Sequence, residues 1–171
     1  MAEALLRARL ADRSPDITVG SVGQLFDGRR AESGAIKAMA DRGIDLSGHL
    51  SRKQTPALIA GSSLILGMER LHVRDLAILA PGTFDRTFTL PEFVRLVEQE
   101  PPRTDRNLRR WVERIGSARQ HLGYLSDADA DSVADPMGRS NRVFRACAAE
   151  IEELIDRMVE RVWPATIPAT Q

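Results

Sequence analysis

Hydrophobic positions recur along this chain with two different periods, and the places where the period changes mark out its elements. From residue 2 onward Leu5, Leu6, Ala8 and Leu10 mix with Glu3, Arg7 and Arg9, which predicts a helix over 2–12 that Ser14-Pro15 ends. No capping side chain precedes it, because Met1 stands where serine, threonine or aspartate would satisfy the first free amides. "ITVGSV" at 17–22 is short, β-branched and bounded by turn residues, and predicts a strand leading into a loop through Gly28. A second helix is predicted over 31–42, with Ile36, Met39 and Ala40 on one side and Gly43 suited to a left-handed C-terminal cap. "IDLSGHLSR" follows as a loop carrying His49.

Thr55-Pro56 opens a short helix to about residue 60, and "SSLILGM" at 62–68 has the length and apolarity of a buried strand. Residues 69–79 read as helix, "RTFTL" as a short strand, and 91–98 as helix before "EPPRT" breaks the chain. Helix resumes near Asp105. There Leu108, Trp111, Val112 and Ile115 form a stripe, with Arg109, Arg110, Arg114 and Arg119 largely elsewhere, so one face packs and the other is wet. The strongest helical pattern joins Val143, Phe144, Cys147, Ile151, Leu154, Ile155, Met158, Val159 and Val162 over 141–162, and Pro164 ends it. The tail at 164–171 has no periodicity and is predicted to be disordered.

Strands that alternate with helices across short turns predict an α/β fold, a parallel sheet flanked by helices. With 171 residues, 43% of them hydrophobic, the chain is the size of one domain, assigned to 1–163. Its 24 basic and 24 acidic residues cancel, which argues against nucleic acid or a membrane surface as partner. No apolar run is long enough to span a bilayer, and the start does not read as a signal segment. Cys147 is the single cysteine, which excludes an intramolecular disulfide and a multi-cysteine zinc site and fits a cytoplasmic setting.

Few motifs carry chemistry. "DADADSVAD" at 127–135 spaces aspartates as a calcium loop does, but the sixth and twelfth places hold Ser132 and Gly138 instead of glycine and glutamate, so a solvated acidic loop is expected. His49, His72 and His121 fall into no metal-ligand spacing, and neither metal nor cofactor is expected. "GSVG" at 20–23 lacks both the Walker lysine and a full dinucleotide fingerprint. Asp135-Pro136 carries more, since the proline confines Asp135 to extended backbone and so fixes where the carboxylate points. That suits a proton donor as well as a plain turn.

Together, "MAEALLRARL", "ITVGSVG", "RGIDLSGHLSR", "SSLILGMERLHVRDL", "RTFTLPEF" and "ADPMGRSNRVFRACAAEIEEL" resemble, in order and spacing, the low molecular weight protein tyrosine phosphatases. The resemblance implies a four-stranded parallel sheet and a phosphate loop of cysteine, five residues and arginine between the first strand and first helix. In that family the helix often opens with methionine-alanine-glutamate-alanine, here residues 1–4. It follows from the resemblance that the first, central strand, the nucleophile and the phosphate-gripping arginine lie outside these 171 residues. Two apolar strands, "ITVGSV" and "SSLILGM", would then face an unfilled gap.

By the same resemblance Asp135 is the general acid–base, and Ser21 and His49 support the phosphate loop. Met137 and Gly138 stand where some members carry aromatic residues. Cys147 does not replace the nucleophile: six positions on, where arginine is needed, stands Glu153, and the thiol lies on the buried stripe of a helix. The implied partners are a phosphotyrosine protein substrate or a companion tyrosine kinase. Two accounts are open: a working hydrolase whose start lies upstream of Met1, or a pseudophosphatase acting by binding. An arsenate reductase-like protein is a third, without visible resolving cysteines.

Overall fold

The computed structural model describes residues 1–119 and 131–165. His121, Asp127, Asp129 and most of the expected disordered tail lie outside them. The chain divides into two compact units, Met1–Gln54 with Asp135–Val159, and Thr55–Ala134 with the residues from Glu160 onward.

In the first unit, helix α1 spans Ala2–Leu10 and α2 spans Ser33–Ala40, and α7 runs over Asn141–Val162 as its apolar periodicity predicts. Buried apolar side chains are Leu5 and Leu10 of α1, Ala35, Ala38 and Met39 of α2, and Phe144, Cys147, Ala148, Ile151, Ile155 and Met158 of α7. The buried side of α2 is therefore Gly34, Ala35, Ala38 and Met39, whereas Ile36 is half-buried and Ala40 exposed. Small residues let α2 come close: a Cβ added at Gly34 would lie 2.3 Å from the Phe144 ring. Gly43 closes α2 at φ 72°, as its place in the sequence suggests. Two arginines tie the helices at their polar margin. Arg9 of α1 reaches Glu152 at 2.9 Å and Asp156 at 2.5 Å, and Arg42 reaches Glu152 at 2.7 Å.

The strand expected at 17–22 does not form. Neither helix, turn nor bend occupies it, yet the amides of Thr18, Val19, Gly20, Ser21 and Val22 have no backbone partner among the described residues. A strand is made by its neighbour, and the nearest pairing begins only at Gly23, whose amide donates to the Arg52 carbonyl at 2.9 Å in an isolated bridge to Lys53.

The second unit carries the α/β layering. Strand β1, Ile65–Gly67, pairs in parallel with β2, Thr87–Thr89, in the register Ile65↔Thr87, Leu66↔Phe88, Gly67↔Thr89. Helices α3 (Pro56–Gly61), α4 (Arg70–Leu79), α5 (Leu90–Glu98) and α6 (Leu108–Ser117) accompany them. Thr55 caps α3 as expected, its hydroxyl accepting from the Leu58 amide at 3.3 Å. A 3₁₀ helix over Pro81–Arg86 interrupts what reads in sequence as a plain turn. Arg119 corrects the expectation of a wet arginine face: its side chain is 4% exposed, stacks on Phe88 and Phe84 at 4.0 and 4.6 Å, and pairs with Glu92 at 3.3 Å. Asp131 likewise leaves the solvated loop expected of the acidic run, and is buried between Arg70 and Arg95, each at 3.1 Å.

Candidate functional site

The residues singled out in sequence gather around one that was not. Glu3, in the first turn of α1, accepts a short hydrogen bond from the Ser21 hydroxyl and pairs with Arg7 one turn on, and its Oε2 lies 3.9 Å from His49 Nδ1. Ser21 and His49 thus meet on a common carboxylate. Burial by itself would raise the Glu3 carboxyl, but the Ser21 hydroxyl and the Arg7 and His49 charges outweigh it and hold the group below its ordinary 4.5. Arg7 also donates to the Val19 carbonyl at 2.8 Å, which fastens the 17–22 segment to α1. The sequence did carry a signal for this hub: Glu3 and Arg7 at i, i+4 on a helix, with Arg7 too long to stay uncommitted.

His49 is delivered by local turn chemistry. The Asp45 carboxylate accepts from the Ser47 amide at 2.8 Å and the His49 amide donates to the Leu46 carbonyl at 3.1 Å, so "DLSGH" folds back with Leu46 buried. Hydrogen bonding from Ser47 keeps the Asp45 carboxyl below its usual range. Between this turn and α1 lies a cavity of about 400 Å³ whose walls include Glu3, Ala4, Arg7, Leu46, His49 and Leu50. With its proton committed to Glu3, the Ser21 oxygen keeps only acceptor capacity there.

Asp135 stands on an exposed turn. Its Oδ1 accepts from the Met137 amide at 2.9 Å, the Arg139 amide donates to the Pro136 carbonyl at 3.0 Å, and Gly138 takes φ 72° to close the turn. Proline and the side-chain bond together restrict the carboxylate to one direction, leaving Oδ2 free. No hydrogen bond or ion pair joins Asp135 to Glu3, Ser21 or His49.

The cysteine is not a nucleophile in waiting. Cys147 is 6% exposed on α7, and burial first, then the Glu150 and Asp135 carboxylates, push its thiol above the ordinary value of 9.0. Among the described residues no group of histidine, cysteine, aspartate and glutamate is arranged to hold a metal ion. The arrangement therefore offers a directed proton donor and a charged cavity, but no thiolate.

Known proteins share these features. The pattern of the low molecular weight phosphotyrosine protein phosphatases matches residues 1–122. The probable low molecular weight protein-tyrosine-phosphatase EpsP of Ralstonia nicotianae is 32% identical over 104 residues, 60% of this chain and 69% of that protein. A protein-arginine-phosphatase of Geobacillus stearothermophilus is 28% identical over 163 residues, 95% of this chain and 86% of that one. The crystal structure of the low molecular weight protein tyrosine phosphatase from T. tengcongensis has the same fold, with TM-score 0.69 at 24% identity over 94% of this chain and 88% of that one. With its pattern matched from residue 1 to 122, this chain belongs to the low molecular weight phosphotyrosine protein phosphatase family.

Proposed function

We propose that this chain carries the acid–base and supporting part of a phosphotyrosine phosphatase site, and that the 171-residue polypeptide does not itself hydrolyse phosphate esters. Asp135 is the proton donor to the departing tyrosine oxygen and then the acceptor of a proton from attacking water. Ser21 and His49, held through Glu3, are the supports of a phosphate loop. Phosphotyrosine in a protein is the substrate class, in line with the names of the related proteins.

One observation carries the inactivity: the only thiol is buried with a raised pKa, and the residue six places on is Glu153, whose charge repels a phosphate. Family chemistry begins with a thiolate attacking phosphorus, the S–P bond forming as the P–O bond breaks. Nothing in the sequence supplies that thiolate. Purified chain incubated with para-nitrophenyl phosphate or a phosphotyrosine peptide is expected to release no more product than buffer does. Turnover that survives Cys147→Ser and disappears on Asp135→Ala would overturn the proposal.

A second reading, recognition without hydrolysis, is favoured by the way Glu3 meets the bonding needs of Ser21 and His49 within the chain. Such a module would retain a phosphotyrosine peptide in an anisotropy titration and leave it intact.

A further inference from the structure

The segment at 17–22 and the loop that follows it form a surface whose three properties point to one kind of partner. First, the β-branched stretch offers five consecutive amides, Thr18 to Val22, with no backbone partner among the described residues, and no turn or bend interrupts it. Second, large apolar side chains stand out beside it: Val22, Leu25, Phe26 and Leu50 are 38%, 77%, 47% and 55% exposed. Third, the surface is basic. Arg29, Arg30, Arg52 and Lys53 make no ion pair among the described residues, and Asp27, the one acid in the two segments, is engaged by the Lys53 amide at 3.1 Å.

These features belong to one piece of structure. The Gly23–Lys53 and Arg30–Leu50 bridges clamp the loop against residues 50–53, with Ser51 exchanging bonds of 2.7 Å with Gly28 and Arg29. The Arg52 guanidinium lies against the 17–22 segment itself, so close that a Cβ at Gly20 would sit 2.7 Å from it, and it donates weakly to the Ser21 carbonyl at 3.5 Å. Arg29 stacks on Phe26 at 4.2 Å, which keeps a cation and an aromatic face side by side. In a chain whose charges otherwise cancel, this is a local excess of positive charge.

We infer that residues 17–30 and 50–53 form a docking edge for an extended acidic peptide with apolar side chains at alternate positions, added as a strand along 17–22. Free amides would take the peptide's carbonyls, the four cations its carboxylates, and Leu25, Phe26 and Leu50 its apolar side chains. A nucleic acid would satisfy the cations and leave the amides and apolar side chains in water.

Fluorescence anisotropy on the unaltered chain tests this with three labelled peptides of about eight residues. One alternates glutamate with valine and phenylalanine, the second has lysine for glutamate, and the third is the glutamate peptide with N-methyl groups on alternate backbone amides. Saturable binding of the first is expected, at least tenfold tighter than either of the others and at least tenfold tighter than a single-stranded oligonucleotide of similar length. The charge-reversed variant Arg52→Glu/Lys53→Glu is expected to lose at least tenfold for the first peptide, and Phe26→Ser to weaken it severalfold. Equal binding of the lysine peptide removes the charge argument, equal binding of the N-methylated peptide removes strand addition, and equal or tighter binding of the oligonucleotide removes a peptide partner. Each overturns the inference, and the peptide series decides alone if a variant fails to fold.

Discussion

Gly116 lies within α6, where glycine costs a helix about 1 kcal/mol relative to alanine. Its reason is a close approach: a Cβ there would sit 1.8 Å from the Asp85 carbonyl oxygen and 2.5 Å from the carbonyl carbon. Both are backbone atoms of the 3₁₀ helix, so no side chain can swing away, and α6 would have to back off. Gly116→Ala is therefore expected to destabilise by about 2 kcal/mol in spite of better helix propensity, read as a lower urea midpoint at unchanged slope. A midpoint at or above the parent's would show that the two helices have room to spare. Gly61→Ala is the control, since a Cβ there meets nothing within 4 Å.

Helices α1, α2 and α7 show how much an element owes to its own sequence and how much to its neighbours. The α7 boundaries were legible because nine apolar positions keep helical spacing over 141–162, and a segment that buries its own stripe needs little else to be recognised. Capping chemistry was equally legible at Thr55 and Gly43, where one residue type answers one local need. Residues 17–22 were not, because β-branching states a preference for strand while the ladder depends on backbone from elsewhere. Arg119 and Glu3 were missed for a related reason: charged residues are read as solvated until a partner is seen, and both partners are distant in sequence, Phe84 and Glu92 for one, Ser21 and His49 for the other. Between α7 and its neighbours the polar margin is testable. Hydrogen bonding from Arg42 chiefly, and from Arg9, holds the Glu152 carboxyl below its ordinary 4.5 against the opposing effect of burial. A depressed carboxylate contributes stability that is present above 4.5 and disappears as pH falls through the folded value. Glu152→Gln is expected to cost about 1 kcal/mol near neutral pH, and thermal melts of parent and variant should converge by about pH 3. A gap that persists in acid would mean that packing, not charge, is what Glu152 supplies.

At the scale of the molecule, the chain pairs a directed proton donor with no nucleophile, so the role of Asp135 has to be tested by supplying what the sequence lacks. A fusion that places a strand followed by cysteine, five residues, arginine and serine ahead of Met1 is expected to hydrolyse para-nitrophenyl phosphate, with Ser21 and His49 already held beside α1 through Glu3. In that fusion Asp135→Ala should lower turnover by about 10²–10⁴-fold, the usual contribution of a general acid. The loss should be greatest for substrates with a poor leaving group, because a phenol of low pKa departs without a donated proton. Asp135→Asn separates chemistry from architecture: its amide oxygen can still accept from the Met137 amide, as Asp135 does at 2.9 Å, but it cannot transfer a proton. If asparagine restores the activity that alanine removes, Asp135 is a turn-former and the acid must be sought elsewhere. If asparagine is as slow as alanine while the fold is unchanged, the carboxyl is the proton donor, and the inactivity of the unfused chain traces to the missing thiolate alone.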